Sequence, residues 1–244
     1  IFIPGLLGSR LCRDNPANPA EPRLVWGSVG ALPEFPALRI AEEGANDIKP
    51  CGLIREIAFL GVLIQEVYGP AIAHLEKIGY REGADLFIFD YDWRRSVFDN
   101  AAALERFVRE KIPDPFQRFD IVAHSMGGLI ARIFAQRHDN ASQLARLFSA
   151  GTPFQGSVKV YATVEKGWGA LNPVMGGLPV FRRTILSFPS IYELAPRYAD
   201  CCDAGAGRVF ALGEAESWRA LKWAGVDPAV MADLTIVAGR AGEL

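Results

Sequence analysis

The sequence predicts an α/β fold in which a mostly parallel sheet is flanked by helices. Two observations carry that expectation. Strand-like runs, most of them short, continuous and apolar, recur at long intervals, at Ile1–Ile3, Leu86–Phe89, Phe119–Ala123, Leu147–Ala150, Val209–Leu212 and Leu234–Ala238, as strands buried on both faces do. Between several of them lie segments with apolar residues three and four apart, the spacing of a helix face: Leu63–Lys77, Ala101–Lys111 and Met126–His138. Such alternation implies right-handed crossovers between parallel strands. With 244 residues, 50% of them hydrophobic, the chain fits one domain, residues 1–244, able to bury a sizeable core.

Taken in order, the first strand runs into Pro4-Gly5-Leu6-Leu7-Gly8. Its glycines let backbone approach backbone and leave the Leu6 N–H free to donate. Residues 12–50, rich in Pro, Asn, Glu and Gly, read as a long excursion with little regular structure. Tyr91-Asp92-Trp93-Arg94 follows the strand Leu86–Phe89 and so lies at the carboxyl end of the sheet, where sites form. Asp92 and Arg94 either contact substrate or pair with each other or with nearby backbone while Trp93 packs. The pairing is preferred. Thr152-Pro153, after the strand Leu147–Ala150, reads as a turn bordering the site. Residues 157–197 interrupt the rhythm with prolines and glycines among large apolar residues, among them Trp168, Met175, Phe181 and Phe188. An insertion of that length and character suits a lid.

The chemistry centres on Ala123-His124-Ser125-Met126-Gly127-Gly128, between the strand Phe119–Ala123 and the clearest helix. A strand turning directly into a helix needs small residues two before and two after the turning residue, and Ala123, Gly127 and Gly128 supply them. The turning residue, Ser125, is then held in a strained backbone with its hydroxyl lifted above the strand ends, as a nucleophile would be. The helix end beneath it favours developing negative charge. Acyl transfer also needs two N–H donors for the oxyanion; the candidates are the backbone N–H groups of Met126 and Leu6.

These pieces together resemble a known family. "IPGLLGSRL", "FIFDYDWRRS", "IVAHSMGG", "GTPFQGS" and "SFPSIYELAP", in this order, are similar to the lecithin:cholesterol acyltransferase-like group of α/β-hydrolases, which includes lysosomal phospholipase A2 and phospholipid:diacylglycerol acyltransferases. The segment around Trp26 loosely resembles an early Trp-containing stretch of that family. The resemblance implies an α/β-hydrolase fold, Ser125 as nucleophile, Leu6 and Met126 as oxyanion donors, and a lid at 157–197 over an acyl-chain site. It implies a lipid or other acyl-ester substrate and membrane-surface or lipid-aggregate contact through the lid.

The serine's partners are harder to find. Ser–His–acid chemistry needs an imidazole near the serine, oriented by a carboxylate. Of the three histidines, His74 belongs on a solvated helix face, His138 suits a helix carboxyl end, and His124 should point away and pack below the turn. None supplies the base. Glu243 is a weak candidate acid, Asp200 and Asp203 weaker ones, and the expectation is that the natural chain continues past Leu244 with both acid and histidine.

Other classes are narrowed. A formal charge of −2 gives no basic footprint for nucleic acid. No apolar run reaches the roughly 18 residues of a membrane span. No Cys/His spacing suits a metal, and no cofactor is implied. Cys12 and Cys51 could close a loop in an oxidising setting, while adjacent Cys201 and Cys202 are badly placed to bond each other; free or buried thiols are the preferred reading throughout. With both ends reading as trimmed, cytoplasmic and secreted locations stay open, as does the oligomeric state. The leading expectation is a serine-dependent acyltransferase or lipase. The alternatives are a non-catalytic lipid- or protein-binding module of the same fold and an esterase or amidase for small substrates.

Overall fold

Ile3 and Ala123 lie opposite one another in parallel strands and are almost wholly buried. The computed structural model containing them describes residues 1–18, 20–40, 47–59, 62–137, 140–196, 198, 202–203 and 209–210. The chain divides into two compact units, residues 1–34 with 43–152 and residues 35–42 with 153–244.

In the first unit the elements run β1 (Phe2–Ile3), β2 (Ser9–Arg13), β3 (Arg23–Trp26), β4 (Ile48–Leu53), β5 (Glu56–Phe59), β6 (Val62–Glu66), α1 (Gly69–Lys77), α2 (Val97–Lys111), β7 (Phe119–His124), α3 (Met126–Gln136) and β8 (Leu144–Ala150). A 3-10 helix spans Val29–Leu38. The sheet that organises this unit is parallel, in the order β1-β7-β8. Leu86–Phe89 extends it beyond β1 through a parallel bridge from Ile88 to Phe2, with bonds Phe2 N–H to Phe87 O at 2.8 Å and Phe89 N–H to Phe2 O at 2.9 Å. Helix α3 packs on β7, β8 and β1, and α2 packs on α3. Its buried residues include Met126, Leu129, Ile130, Ile133 and Phe134, the face expected from their spacing; each such side chain contributes about 1.5–3 kcal/mol on leaving water. Ser96 caps α2 by accepting from the Phe98 N–H at 3.2 Å.

Three expectations are corrected here. The stretch 12–50, expected to hold little regular structure, contributes strands to an antiparallel sheet in which β2 lies between β3 and β4. This β4 holds Pro50 and Gly52, poor strand formers that an edge position tolerates. Cys12 and Cys51 are not free thiols but a disulfide across that sheet, with Cα atoms 5.8 Å apart. The helix expected over Leu63–Lys77 begins only at Gly69, with Pro70 in its first turn. The preceding Val62–Glu66 is β6, hairpin partner of β5. Its apolar run fits strand and helix periodicity alike, and Pro70 is compatible with only the start of a helix.

In the second unit, α4 (Lys159–Lys166), α5 (Leu178–Ile185) and α6 (Pro189–Glu193) make residues 157–197 largely helical. Phe35 stacks on Phe181 at 5.0 Å between centroids, and Trp168 meets both rings edge-on. Arg182 Nε donates to Val164 O at 2.9 Å, joining α5 to α4. A short antiparallel pair, β9 (Cys202–Asp203) with β10 (Val209–Phe210), follows, so the described part of the strand expected at Val209–Leu212, Val209–Phe210, pairs with β9 and not with the parallel sheet. The strand Leu234–Ala238 and residues His138, Asp200 and Glu243 lie outside the described residues. Among the described residues, no helix is long and apolar enough to cross a membrane, and no group of three or more His, Cys, Asp or Glu could hold a metal ion.

The buried Asp92–Arg94 pair gives a stability test. Arg94 is fully buried and Asp92 nearly so, while Arg95, 3.4 Å from the same carboxylate, is 46% exposed. Stripping a buried guanidinium of its carboxylate costs about 3–5 kcal/mol, and an exposed ion pair is worth under about 1 kcal/mol. In urea denaturation, Asp92→Ala should lose the larger amount and Arg95→Ala the smaller.

Candidate active site

Where β7 meets α3, Ser125 takes φ 52° and ψ −125°. Side chains avoid this region because Cβ crowds the backbone there, and such strain persists only when neighbours impose it. They do. The Ser125 N–H donates to Ala150 O at the end of β8, 2.8 Å away, and Ser125 O accepts from the Gly128 N–H at 3.0 Å. A Cβ at Gly127 would sit 2.5 Å from Pro4 O and 2.8 Å from Ile3 O, and one at Gly128 would collide with the Thr152 hydroxyl. The glycines predicted from the turn are thus required by the approach of β1 and of Thr152. Thr152 itself is half-buried, and its Oγ1 has no hydrogen-bond partner among the described residues.

Facing Ser125 is the loop Pro4–Gly8. A Cβ at Gly5 would lie 2.9 Å from Ser125 Cβ, so the loop backbone abuts the serine. Leu7, at φ 66°, is the other non-glycine residue with positive φ among the described residues. Both strained residues therefore belong to one site. The loop is held largely by its carbonyls. Tyr91 Oη donates to Pro4 O at 2.9 Å, the Gly8 N–H to Gly5 O at 3.0 Å and the Ile54 N–H to Gly8 O at 2.9 Å. The Trp26 and Trp93 indoles donate to Leu7 O and Ser9 O, each at 3.0 Å. The two indoles meet edge-on at 5.5 Å.

Tyr91, Asp92, Trp93 and Arg94 are all buried. Tyr91 and Trp93 grip the Pro4–Ser9 loop, and Tyr91 N–H donates to Ser9 Oγ at 3.1 Å. Asp92 and Arg94 form a forked pair, Nε to Oδ1 at 2.8 Å and Nη2 to Oδ2 at 2.7 Å, while Asn100 Nδ2 donates to Asp92 O at 3.0 Å. The loop's Leu6 N–H and the Met126 N–H at the start of α3 have no hydrogen-bond partner among the described residues, nor does the Ser125 hydroxyl.

His124 departs from its expected place. It does not pack below the turn but is exposed, and its Nδ1 lies 2.7 Å from Tyr68 Oη, which accepts from the Gly5 N–H at 2.7 Å. The reason is the strand's alternation: Ala123 faces the core beside β1, so His124 takes the opposite face. Partial burial lowers the His124 pKa. Burial raises that of Tyr68 against the Gly5 hydrogen bond, and burial pushes Tyr91 well above the usual tyrosine value. Tyr68 Oη thus stands between the Gly5 N–H, from which it accepts, and the His124 ring. Residues outside the predicted site thus prove to be attached to it. Tyr68 carries no local motif that would have disclosed this, and Trp26 carried only the loose family likeness.

The lecithin:cholesterol acyltransferase family profile matches residues 46–230, well over half of the chain. The chain belongs to this family. Its relatives include human "Lysosomal phospholipase A and acyltransferase", 33% identical over 109 residues that cover 42% of this chain and 26% of that protein. Another is "Phospholipase A(1) LCAT3" of Arabidopsis thaliana, 27% identical over 135 residues covering 50% of this chain and 30% of that protein. The matches thus span less than a third of these relatives' length. Among solved structures, a chain of the Tle4-Tli4 complex aligns with a TM-score of 0.57 and 15% identity, covering 99% of this chain and 71% of that one. The family and this likeness make the architecture an α/β-hydrolase fold.

Gly127 offers a direct test of the close approach. Helix propensity alone favours Ala over Gly by about 1 kcal/mol, yet overpacking against backbone costs about 1–3 kcal/mol or more. Gly127→Ala should therefore lower the melting temperature, whereas relief of the helix alone would raise it.

Proposed function

We propose that this chain carries the nucleophile and oxyanion site of a serine-dependent acyl-transferring enzyme acting on lipid esters. The observation that carries the proposal is the strained Ser125 at the strand–helix turn, with the free N–H groups of Met126 and Leu6 beside it. The names of the family relatives support the substrate class.

In this mechanism Ser125 Oγ attacks the ester carbonyl carbon and gives up its proton to a base that the described residues do not supply. The carbonyl oxygen becomes an oxyanion, receiving the Leu6 and Met126 N–H groups at the positive end of α3. Collapse expels the alcohol, which takes the proton, and leaves an acyl-Ser125 ester. Water or an acceptor hydroxyl then attacks that ester and regenerates the serine. The choice between hydrolysis and transfer depends on excluding water. Residues 157–197 are the candidate lid, and the exposed Phe154, Val158, Leu171 and Val174 of the same unit suit contact with a lipid surface. Tyr91, Asp92, Trp93 and Arg94 shape the loop that presents Leu6 rather than touching the reacting atoms.

A fluorophosphonate probe tests the proposal. It should label the full-length protein at Ser125, and Ser125→Ala should abolish labelling and lower ester turnover by a factor on the order of 10⁶. Equal labelling of both proteins would overturn the assignment of Ser125. Labelling of neither would favour a non-catalytic lipid- or protein-binding module.

A further inference from the structure

We propose that Tyr68 is a positioning residue for acyl transfer: its hydroxyl anchors the Gly5 amide, and thereby the Leu6 N–H, against the Ser125 turn. The inference rests on the role proposed above for Ser125 and Leu6, and adds a residue that touches neither substrate nor the reacting atoms.

The geometry is a three-member chain. Tyr68 Oη accepts from the Gly5 N–H and shares a hydrogen bond with His124 Nδ1, both at 2.7 Å. One end of this chain is the oxyanion loop and the other is the residue immediately before the nucleophile. The ring carrying the hydroxyl cannot drift. It is 8% exposed, and it meets Phe2 edge-on at 5.4 Å and the His124 ring at 5.7 Å. A Cβ at Gly8 would stand 2.7 Å from Tyr68 Cε2, so the ring occupies the space that Gly8 vacates. Its own backbone is bonded on both sides, Tyr68 N–H to Ile54 O at 3.3 Å and Ile72 N–H to Tyr68 O at 3.1 Å.

Gly5 needs such an anchor. Glycine samples more backbone conformations than any other residue, and the peptide between Gly5 and Leu6 carries the proposed donor. Gly5 O is bonded by the Gly8 N–H, a contact within the loop that moves with it. The Gly5 N–H bond to Tyr68 ties the residue to something outside the loop. Pro4 O, Leu7 O and Gly8 O are held from outside as well, but these grips flank Gly5. Without the hydroxyl, the Gly5–Leu6 peptide can rotate its N–H away from the oxyanion while the remaining anchors stay in place. Loss of one oxyanion donor costs about 10²–10³ in kcat, and a donor misplaced part of the time costs less.

The test compares Tyr68→Phe with wild type in the full-length protein, using a short-chain p-nitrophenyl ester and normalising to active sites titrated with fluorophosphonate. The Phe ring keeps the packing and removes only the hydroxyl. The expected result is a fall in kcat of about 10–100-fold per titrated site with KM changed by less than about twofold, since the interaction is made in the transition state. His124→Leu, which removes the hydrogen-bond partner of the tyrosine hydroxyl, should lower kcat in the same sense, and His124→Asn, which returns a polar partner, should recover part of the loss. A Tyr68→Phe kcat equal to wild type, or a changed KM at constant kcat, overturns the inference. Should Tyr68→Phe fail to fold, the two His124 variants decide: loss with partial recovery supports it, and equal activity overturns it. Absence of label at Ser125 in the wild type is a different failure, that of the nucleophile itself, and removes this role with it.

Discussion

The conformation of one residue governs the rest of the first unit. Ser125 occupies a backbone region, φ 52° and ψ −125°, that a free chain would leave. Holding it there requires β7 to end against β8 through the Ser125–Ala150 bond and α3 to start within van der Waals distance of β1 and Thr152. That proximity forbids any side chain at Gly127 or Gly128. The parallel register of β1, β7 and β8 is therefore the frame in which the turn is possible. Strain stored at a site in this way is imposed by surrounding packing, not by local preference.

The second strained residue, Leu7, shows the same logic in a loop with no regular structure. Its carbonyl is held by Trp26, and its neighbours' carbonyls by Tyr91, Trp93 and the Ile54 amide. Three of these donors are aromatic side chains, which bring bulk and a single polar tip to a buried place. The forked Asp92–Arg94 pair alternates with Tyr91 and Trp93 in sequence, and it is buried with them. An ion pair there adds little net stability but makes departure of either partner costly, which suits a segment that must hold its two aromatic neighbours steady.

Much of this was legible in the sequence, for identifiable reasons. The runs at Ile1–Ile3, Phe119–Ala123 and Leu147–Ala150 are predominantly apolar, with Asp120 and Ser149 the polar exceptions, so their strand character could be read from composition. Small residues around Ser125 disclosed the turn. The antiparallel sheet of β2, β3 and β4 was not legible, because Pro50 and Gly52 disguise an edge strand, nor was the Cys12–Cys51 bond, which depends on that sheet bringing residues 39 apart in sequence together. The exposed place of His124 was not legible, because its partner Tyr68 lies 56 positions away in sequence. Tyr68 gives no signal in the sequence for the same cause: its link to Gly5 spans 63 positions and leaves no periodic trace. Long-range polar contacts of single residues are what one sequence hides best.

Membership of the lecithin:cholesterol acyltransferase family and the geometry of the Ser125 turn are the two supports of the proposed covalent acyl transfer. The central claim is that the acyl group passes through Ser125. The most direct measurement is rapid acid quench of the full-length protein during turnover of a phospholipid, followed by mass analysis of the proteolytic peptide containing Ser125. The account predicts that this peptide gains the mass of the substrate's acyl chain as an ester on Ser125. Product formation with the acyl group on another residue, or with no acylated peptide at any quench time, would contradict it.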